Sequence, residues 1–253
     1  MTAQPTWYWA NQWIEIKVLA DGRQVQRTIE NKSNRMSRTY KAVQVTKPGS
    51  EDMNRIGIIG AGAIGSAFAR ALARVGIGAD ISNSRGPASL ASLVQEIGPT
   101  ARAVEPAEAA RAEIVLVAVN WSKLPAALAN LPEWAGRIVI DANNPLVVEG
   151  NQLKRVDLNG RLSSEVFSEL APGARVVKAF NHLPAASLSG DPKHEGGRRV
   201  LFFSGDDAEA KSQVGALIGR LGFFGIDLGP LSTGARLAQP GEPLSALNLV
   251  EFD

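Results

Sequence analysis

The stretch Arg55-Ile56-Gly57-Ile58-Ile59-Gly60-Ala61-Gly62-Ala63-Ile64-Gly65 constrains this chain more than any other. A short apolar run leads straight into G-x-G-x-x-G, and an alanine-rich stretch from Ala63 to Val75 follows. An apolar run of that length reads as a buried strand, and the alanines read as a helix. Glycines at this junction have separate tasks. Gly60 permits a tight turn, Gly62 lets backbone approach a pyrophosphate, and Gly65 allows the helix to pack closely on the strand. The start of the helix then offers unpaired N–H groups and a partial positive charge to a phosphate. A glycine motif alone is weak evidence, but here both flanking elements are of the required kind.

Downstream, strand and helix patterns alternate. Strands are expected at Ala79–Ser82, Ala101–Val104, Ile114–Val119 and Ile138–Ile140, with helices at Ala63–Val75, Pro87–Ile97, Pro106–Arg111 and Leu124–Leu131. Continuous apolar runs such as Ile114–Val119 suit strands covered on both faces, and such alternation gives a parallel sheet with helices on both sides. After Pro145 come a polar insertion (149–161), a helix near Ser163–Leu170 and a strand at Arg175–Ala179. A further strand–helix–strand unit follows over Val200–Ser204, Asp206–Leu221 and Phe223–Leu228. The expected fold is therefore α/β, a Rossmann-type doubly wound parallel sheet with a small C-terminal α/β extension.

Three segments are expected: an N-terminal extension over 1–52, a nucleotide-binding unit over 53–145, and a C-terminal part over 146–253 that completes the acceptor site. The extension holds Trp7, Trp9, Trp13 and both tyrosines. Period-two alternation in Trp13–Val18 with Asp21-Gly22 after it suggests a hairpin, whereas 31–52 reads as poorly ordered linker. Met53 stands two residues before the first strand, so residues 1–52 are read as upstream translation or a mobile arm.

Composition excludes several classes. With no cysteine, disulfides, thiolate metal sites and Cys nucleophiles are ruled out. The net charge is only +2, with no basic aromatic stripe, so nucleic acid is not an expected partner. No apolar run approaches about 18 residues and no signal-peptide core opens the chain, so no membrane association and a cytoplasmic location are expected. A homodimer is the assembly considered.

The second strand selects the nucleotide. NAD sites place a carboxylate at the end of this strand, about 20 residues on, for the ribose hydroxyls. Here the strand ends in Ser82-Asn83-Ser84-Arg85, and Asp80 lies at the opposite end. A guanidinium with hydroxyls suits a 2′-phosphate, so NADP(H) is the expected cofactor. Val119-Asn120-Trp121 and Asp141-Ala142-Asn143-Asn144-Pro145 should border the same crevice, because ligands lie at the carboxyl ends of strands.

Acid/base machinery is sparse. Both tyrosines precede Met53, and the histidines are His182 and His194. His182 follows a strand, while His194 sits in a polar loop. No metal cluster is read from the sequence. Hydride transfer between a nicotinamide and a flavin-like ring needs alignment and exclusion of water more than a protein acid, so no catalytic side chain is assigned.

Gly60–Gly65, Asn83-Ser84-Arg85, Asn120-Trp121, Asp141–Pro145, Lys178–Ala185, Ser204-Gly205-Asp206-Asp207 and Gly229-Pro230-Leu231 together resemble the NADP oxidoreductase, coenzyme F420-dependent, family. The resemblance implies hydride transfer between NADPH and an 8-hydroxy-5-deazaflavin. It places Ala61, Ala63 and Ile64 at the pyrophosphate, and Ser84 and Arg85 at the 2′-phosphate. Val119, Asn120, Asn143 and Ala185 would border the ribose and nicotinamide, and Asn181, His182 and Leu183 would face the acceptor ring. Asn181-His182 departs from the family's expected His-Thr order, and a longer C-terminal helix would be expected. The expected partner is a small-molecule electron acceptor, the deazaflavin or a flavin. A non-enzymatic NADP-binding redox sensor and an imine or β-hydroxyacid reductase are the alternatives.

Overall fold

The computed structural model describes residues 7–9, 12–18, 24–30, 55–150 and 152–252. The chain divides into two units, Met1–Glu51 and Asp52–Asp253. In the first, β1 (Trp7–Trp9), β2 (Gln12–Val18) and β3 (Gln24–Glu30) form an antiparallel sheet in that order. The hairpin expected around Trp13–Val18 is β2 paired with β3, with Val18 opposite Gln24. The linker read over 31–52 lies outside the described residues.

The second unit begins with β4 (Ile56–Ile59), α1 (Ala63–Arg74) and β5 (Ala79–Ser82). A 3-10 turn at Pro87–Leu90 leads into α2 (Ala91–Ile97), then β6 (Ala101–Ala103), α3 (Pro106–Ala109), β7 (Ile114–Val117), α4 (Leu124–Leu128) and β8 (Ile138–Asp141). A two-stranded ribbon, β9 (Leu146–Glu149) with β10 (Gln152–Arg155), comes next. Then follow α5 (Ser163–Leu170), β11 (Arg175–Ala179), α6 (Ala185–Ser189), β12 (Lys193–His194), β13 (Gly197–Gly205), α7 (Ala208–Arg220), β14 (Phe224–Asp227) and β15 (Val250–Glu251).

Six parallel strands run in the order β6-β5-β4-β7-β8-β11, which is the dinucleotide-binding order 3-2-1-4-5-6. β13 then joins β11 antiparallel, with β14 parallel to β13 beyond it. Chain direction reverses its progress across the sheet between β4 and β7, so a crevice opens above their carboxyl ends. Alternation along the strands splits the core in two. Ile58, Leu116, Ile140 and Val177 pack with Phe68 and Leu72 of α1 on one face, while Ile59, Val117, Val139 and Val176 pack with Leu124, Trp134 and Phe167 on the other.

Two features depart from the sequence reading. The stretch after Pro145 holds a ribbon whose second strand lies in the polar insertion, and the expected helix over Pro87–Ile97 opens as a 3-10 turn. Asp80 at the amino end of β5 has a structural task, accepting from Arg55 Nε and Arg102 Nη2 at 2.6 Å each. Burial pushes the Asp80 carboxyl up, but the hydrogen bonds from Arg102 and Arg55 outweigh it and hold the group below the usual carboxylate range. Among the described residues, no helix is long and apolar enough to cross a membrane.

Candidate functional site

The glycine turn is built as a cradle. Gly60 has φ +105°, and a Cβ there would overlap the Ala118 carbonyl oxygen just beyond the end of β7. At Gly65 a Cβ would overlap the Gly60 carbonyl, so α1 could not sit so near its own strand. Gly62 differs, since a Cβ there would meet nothing within 4 Å. That open space sits at the N-cap of α1, where no side chain caps the helix and its first turn carries no acidic residue. The first-turn N–H groups over Ala63 and Ile64 thus meet no competing carboxylate, which is the environment a bound phosphate requires. Gly57 makes a further close approach, against the Ala109 carbonyl, that the sequence reading missed.

At the exit of β5 the chain curls through an Asx turn. Asn83 Oδ1 accepts from the Arg85 N–H at 2.9 Å, and Asn83 Nδ2 donates to Ser89 Oγ at 2.9 Å. Ser84 and Arg85 are exposed, and the Arg85 side chain forms no ion pair among the described residues.

At the exits of β7 and β8 the side chains mostly bind one another. Asn143 is buried; its Oδ1 accepts from the Val119 N–H at 2.8 Å, and its Nδ2 donates to Asp141 Oδ1 at 2.8 Å and Val117 O at 3.1 Å. Both amide donors of Asn143 are therefore satisfied inside the protein. Beneath it lies an ion pair the sequence reading did not find: Lys178 of β11 donates to Asp141 Oδ2 at 2.9 Å and to the Asn143 carbonyl at 2.5 Å. The two side chains are 1% and 0% exposed, so the pair has no solvent to lean on. Strand register sets it, because Lys178 lies opposite Asp141. Val119 and Ala185 are half-buried and Asn120 is exposed at this rim.

The exit of β11 is closed over. Phe180 has φ +61°, a left-handed conformation that costs an ordinary residue about 1–2 kcal/mol, and its ring packs on Phe68 with centroids 4.9 Å apart. Asn181, His182 and Leu183 are all buried. Asn181 Nδ2 donates to Asn144 Oδ1 at 3.2 Å and to Ala238 O at 3.1 Å, and the His182 carbonyl accepts from the Ala246 N–H at 2.9 Å. The segment from Ala238 to Ala246 thus straps across them. His182 rests on Phe202 with ring centroids 4.8 Å apart, and among the described residues neither ring nitrogen has a partner at hydrogen-bonding geometry. Burial pushes its pKa down to about 4 against a small opposing effect from the Val200 backbone, so the ring is neutral at pH 7. His194 forms part of β12, half-buried. A cleft of about 430 Å³ opens beside the strap, bordered by Pro145, Arg155, Leu158, Arg161, Gln239 and Glu242.

With this geometry in hand, residues 55–145 match the family described as NADP oxidoreductase, coenzyme F420-dependent. A solved structure from Arthrobacter sp. FB24, provisionally named an F420-dependent NADP reductase, is 30% identical; the likeness covers 71% of this chain and 86% of that one, with a TM-score of 0.62. This chain belongs to that family. A hypothetical protein of Sinorhizobium meliloti is 46% identical, with 80% of this chain and 98% of that chain covered and a TM-score of 0.75. Among curated proteins, rat Metalloreductase STEAP3 is 31% identical over 182 residues, which is 71% of this chain and 34% of that protein. The chain therefore spans about a third of the length of that metalloreductase. Membership places it among the NADP oxidoreductases.

The cradle fits a dinucleotide on structural grounds alone. Two glycines are locked by contact with backbone, and the third leaves open space in front of the uncapped first turn of α1, where a pyrophosphate could lie.

Proposed function

We propose that the chain transfers hydride between NADPH and a flat ring acceptor, an 8-hydroxy-5-deazaflavin or a flavin. The observation that carries this reading is the pairing of an open space at Gly62 with an exposed Arg85, without an ion pair among the described residues, on the next strand exit. On this reading the Gly60–Gly65 turn, with the N–H groups of Ala61, Ala63 and Ile64, holds the pyrophosphate. Ser84 and Arg85 hold the 2′-phosphate. Val119, Asn120 and Ala185 border the ribose and nicotinamide, and Asn143 contributes by fixing the Val119 N–H rather than by reaching outward. Asn181, His182 and Leu183 form the buried wall of the acceptor side.

The bound nicotinamide would supply the hydride. The protein's share is to align the two rings and keep water away, which suffices because ring-to-ring transfer needs no protein acid. A buried, neutral His182 is consistent with that division, as a dry wall rather than a proton donor. The reading places the reaction in the cytoplasm and holds for one copy or for a homodimer.

Titration of purified protein with NADPH and NADH, followed by absorbance during turnover with the deazaflavin and with FMN, tests the proposal. NADPH should bind more tightly than NADH and be oxidised by one of the two rings. Arg85→Ala should weaken NADPH about tenfold or more while leaving NADH nearly unchanged, since a charge-assisted bond is worth roughly 1.5–3 kcal/mol. Absence of NADPH binding, or an equal loss for both nucleotides, would refute it.

A further inference from the structure

Glu105 stands at the exit of β6, the strand that neighbours β5, on the same edge of the sheet as Arg85. Its Oε1 lies 3.9 Å from the point where a Cβ on Gly86 would sit, so the carboxylate faces the loop that follows Arg85. The side chain is exposed, makes no cap bond to α3 and forms no ion pair among the described residues. The nearby cation on β6, Arg102, is already engaged by Asp80 at 2.6 Å and Glu108 at 3.3 Å. An uncompensated negative charge therefore sits at the rim of the loop that bears the one guanidinium proposed to hold a 2′-phosphate.

We propose that Glu105 is a specificity-determining residue that opposes the 2′-phosphate and sets how far NADPH is favoured over NADH. The inference rests on the reading of Arg85 given above. A phosphate monoester carries nearly two negative charges at neutral pH and is repelled by a carboxylate on the same rim. A nucleotide ending in a free ribose hydroxyl meets no such repulsion, and a carboxylate accepts its hydrogen bond instead. Both effects act in the same direction. Glu105 narrows the margin that Arg85 creates, and NADH remains a competitor.

The test uses the full chain and two fragments that isolate this end of the cofactor, 2′,5′-ADP and 5′-AMP, with affinities read by titration calorimetry. Glu105→Gln keeps the size of the side chain and removes the charge. It should raise the preference for 2′,5′-ADP over 5′-AMP by about three- to tenfold at low ionic strength, and the gain should shrink in high salt as screening sets in. Glu105→Ala, which also removes the acceptor oxygen, should raise the preference at least as much. An unchanged or reduced preference in Glu105→Gln overturns the inference. The two readings separate cleanly: wild-type protein that binds neither fragment overturns both. A wild-type preference that Arg85→Ala abolishes and Glu105→Gln leaves untouched overturns this one alone.

Discussion

Replacing Lys178 by methionine removes one charge from an ion pair that has no access to water. The side chains of Lys178 and Asp141 are 1% and 0% exposed, and the ammonium group bonds Asp141 Oδ2 at 2.9 Å and the Asn143 carbonyl at 2.5 Å. Methionine matches the lysine stem but leaves a buried carboxylate oxygen and a carbonyl without their donor. Removing one partner of such a pair costs about 3–5 kcal/mol, mostly through the stranded charge. For a folded unit of this size each kcal/mol lowers Tm by roughly 2–4 °C, so the expected fall is roughly 6–20 °C. Scanning calorimetry reads it directly. A second variant isolates the cause. Combining Lys178→Met with Asp141→Asn removes the stranded charge while keeping an acceptor for Asn143, and should recover about 2 kcal/mol. NADPH affinity should fall in the single variant as well, because Asp141 holds Asn143 and Asn143 holds the Val119 N–H. A Tm loss below about 2 °C, or a double variant no better than the single, would refute this reasoning.

The glycines should separate by role. Gly62→Ala should leave Tm unchanged yet weaken NADPH about tenfold or more, because its Cβ fills only the cradle. Gly65→Ala should instead cost about 1–3 kcal/mol in stability, since its Cβ overlaps the Gly60 carbonyl; equal Tm in the two variants would contradict the assignment. His182 should make the fold acid-sensitive. Its pKa falls from 6.5 to about 4 on folding, so between those values the unfolded chain binds a proton that the folded ring refuses, and stability drops as pH falls through the window. The full loss is about 3 kcal/mol by pH 4, and His182→Phe should flatten that slope in thermal melts taken from pH 4 to 7. Parallel slopes for the two proteins would count against it.

The cradle was legible because it is local. Strand, three glycines and helix follow one another within twenty residues, and each glycine's task depends on neighbours close in sequence or on the adjacent strand. The motif pieces near the end were legible for another reason, since the structure ties them together. Asp206 Oδ1 accepts from the Leu231 N–H at 3.0 Å, and the Gly205 N–H donates to the Gly229 carbonyl at 3.0 Å. Lys178 was quoted as part of a motif but its partner was not visible, because the pairing depends on the register between strands 37 residues apart. The ribbon was hidden by its own composition. Gln152-Leu153-Lys154-Arg155 is mostly polar and all four residues are exposed, so no apolar alternation distinguishes it from a loop. Burial of His182 was equally unreadable, since the residues that close over it arrive from 238–246.

That strap divides the building of the crevice between two stretches of chain. The turn at Gly60–Gly65 is held by β4, α1 and the neighbouring β7, whereas the far end is held by residues from Ala238 onward, through Asn181 with Ala238 and Ser163 with Gln239. Substitutions after Ala238 should therefore change the surroundings of Asn181 and His182 while the glycine turn, made from other residues, is left alone.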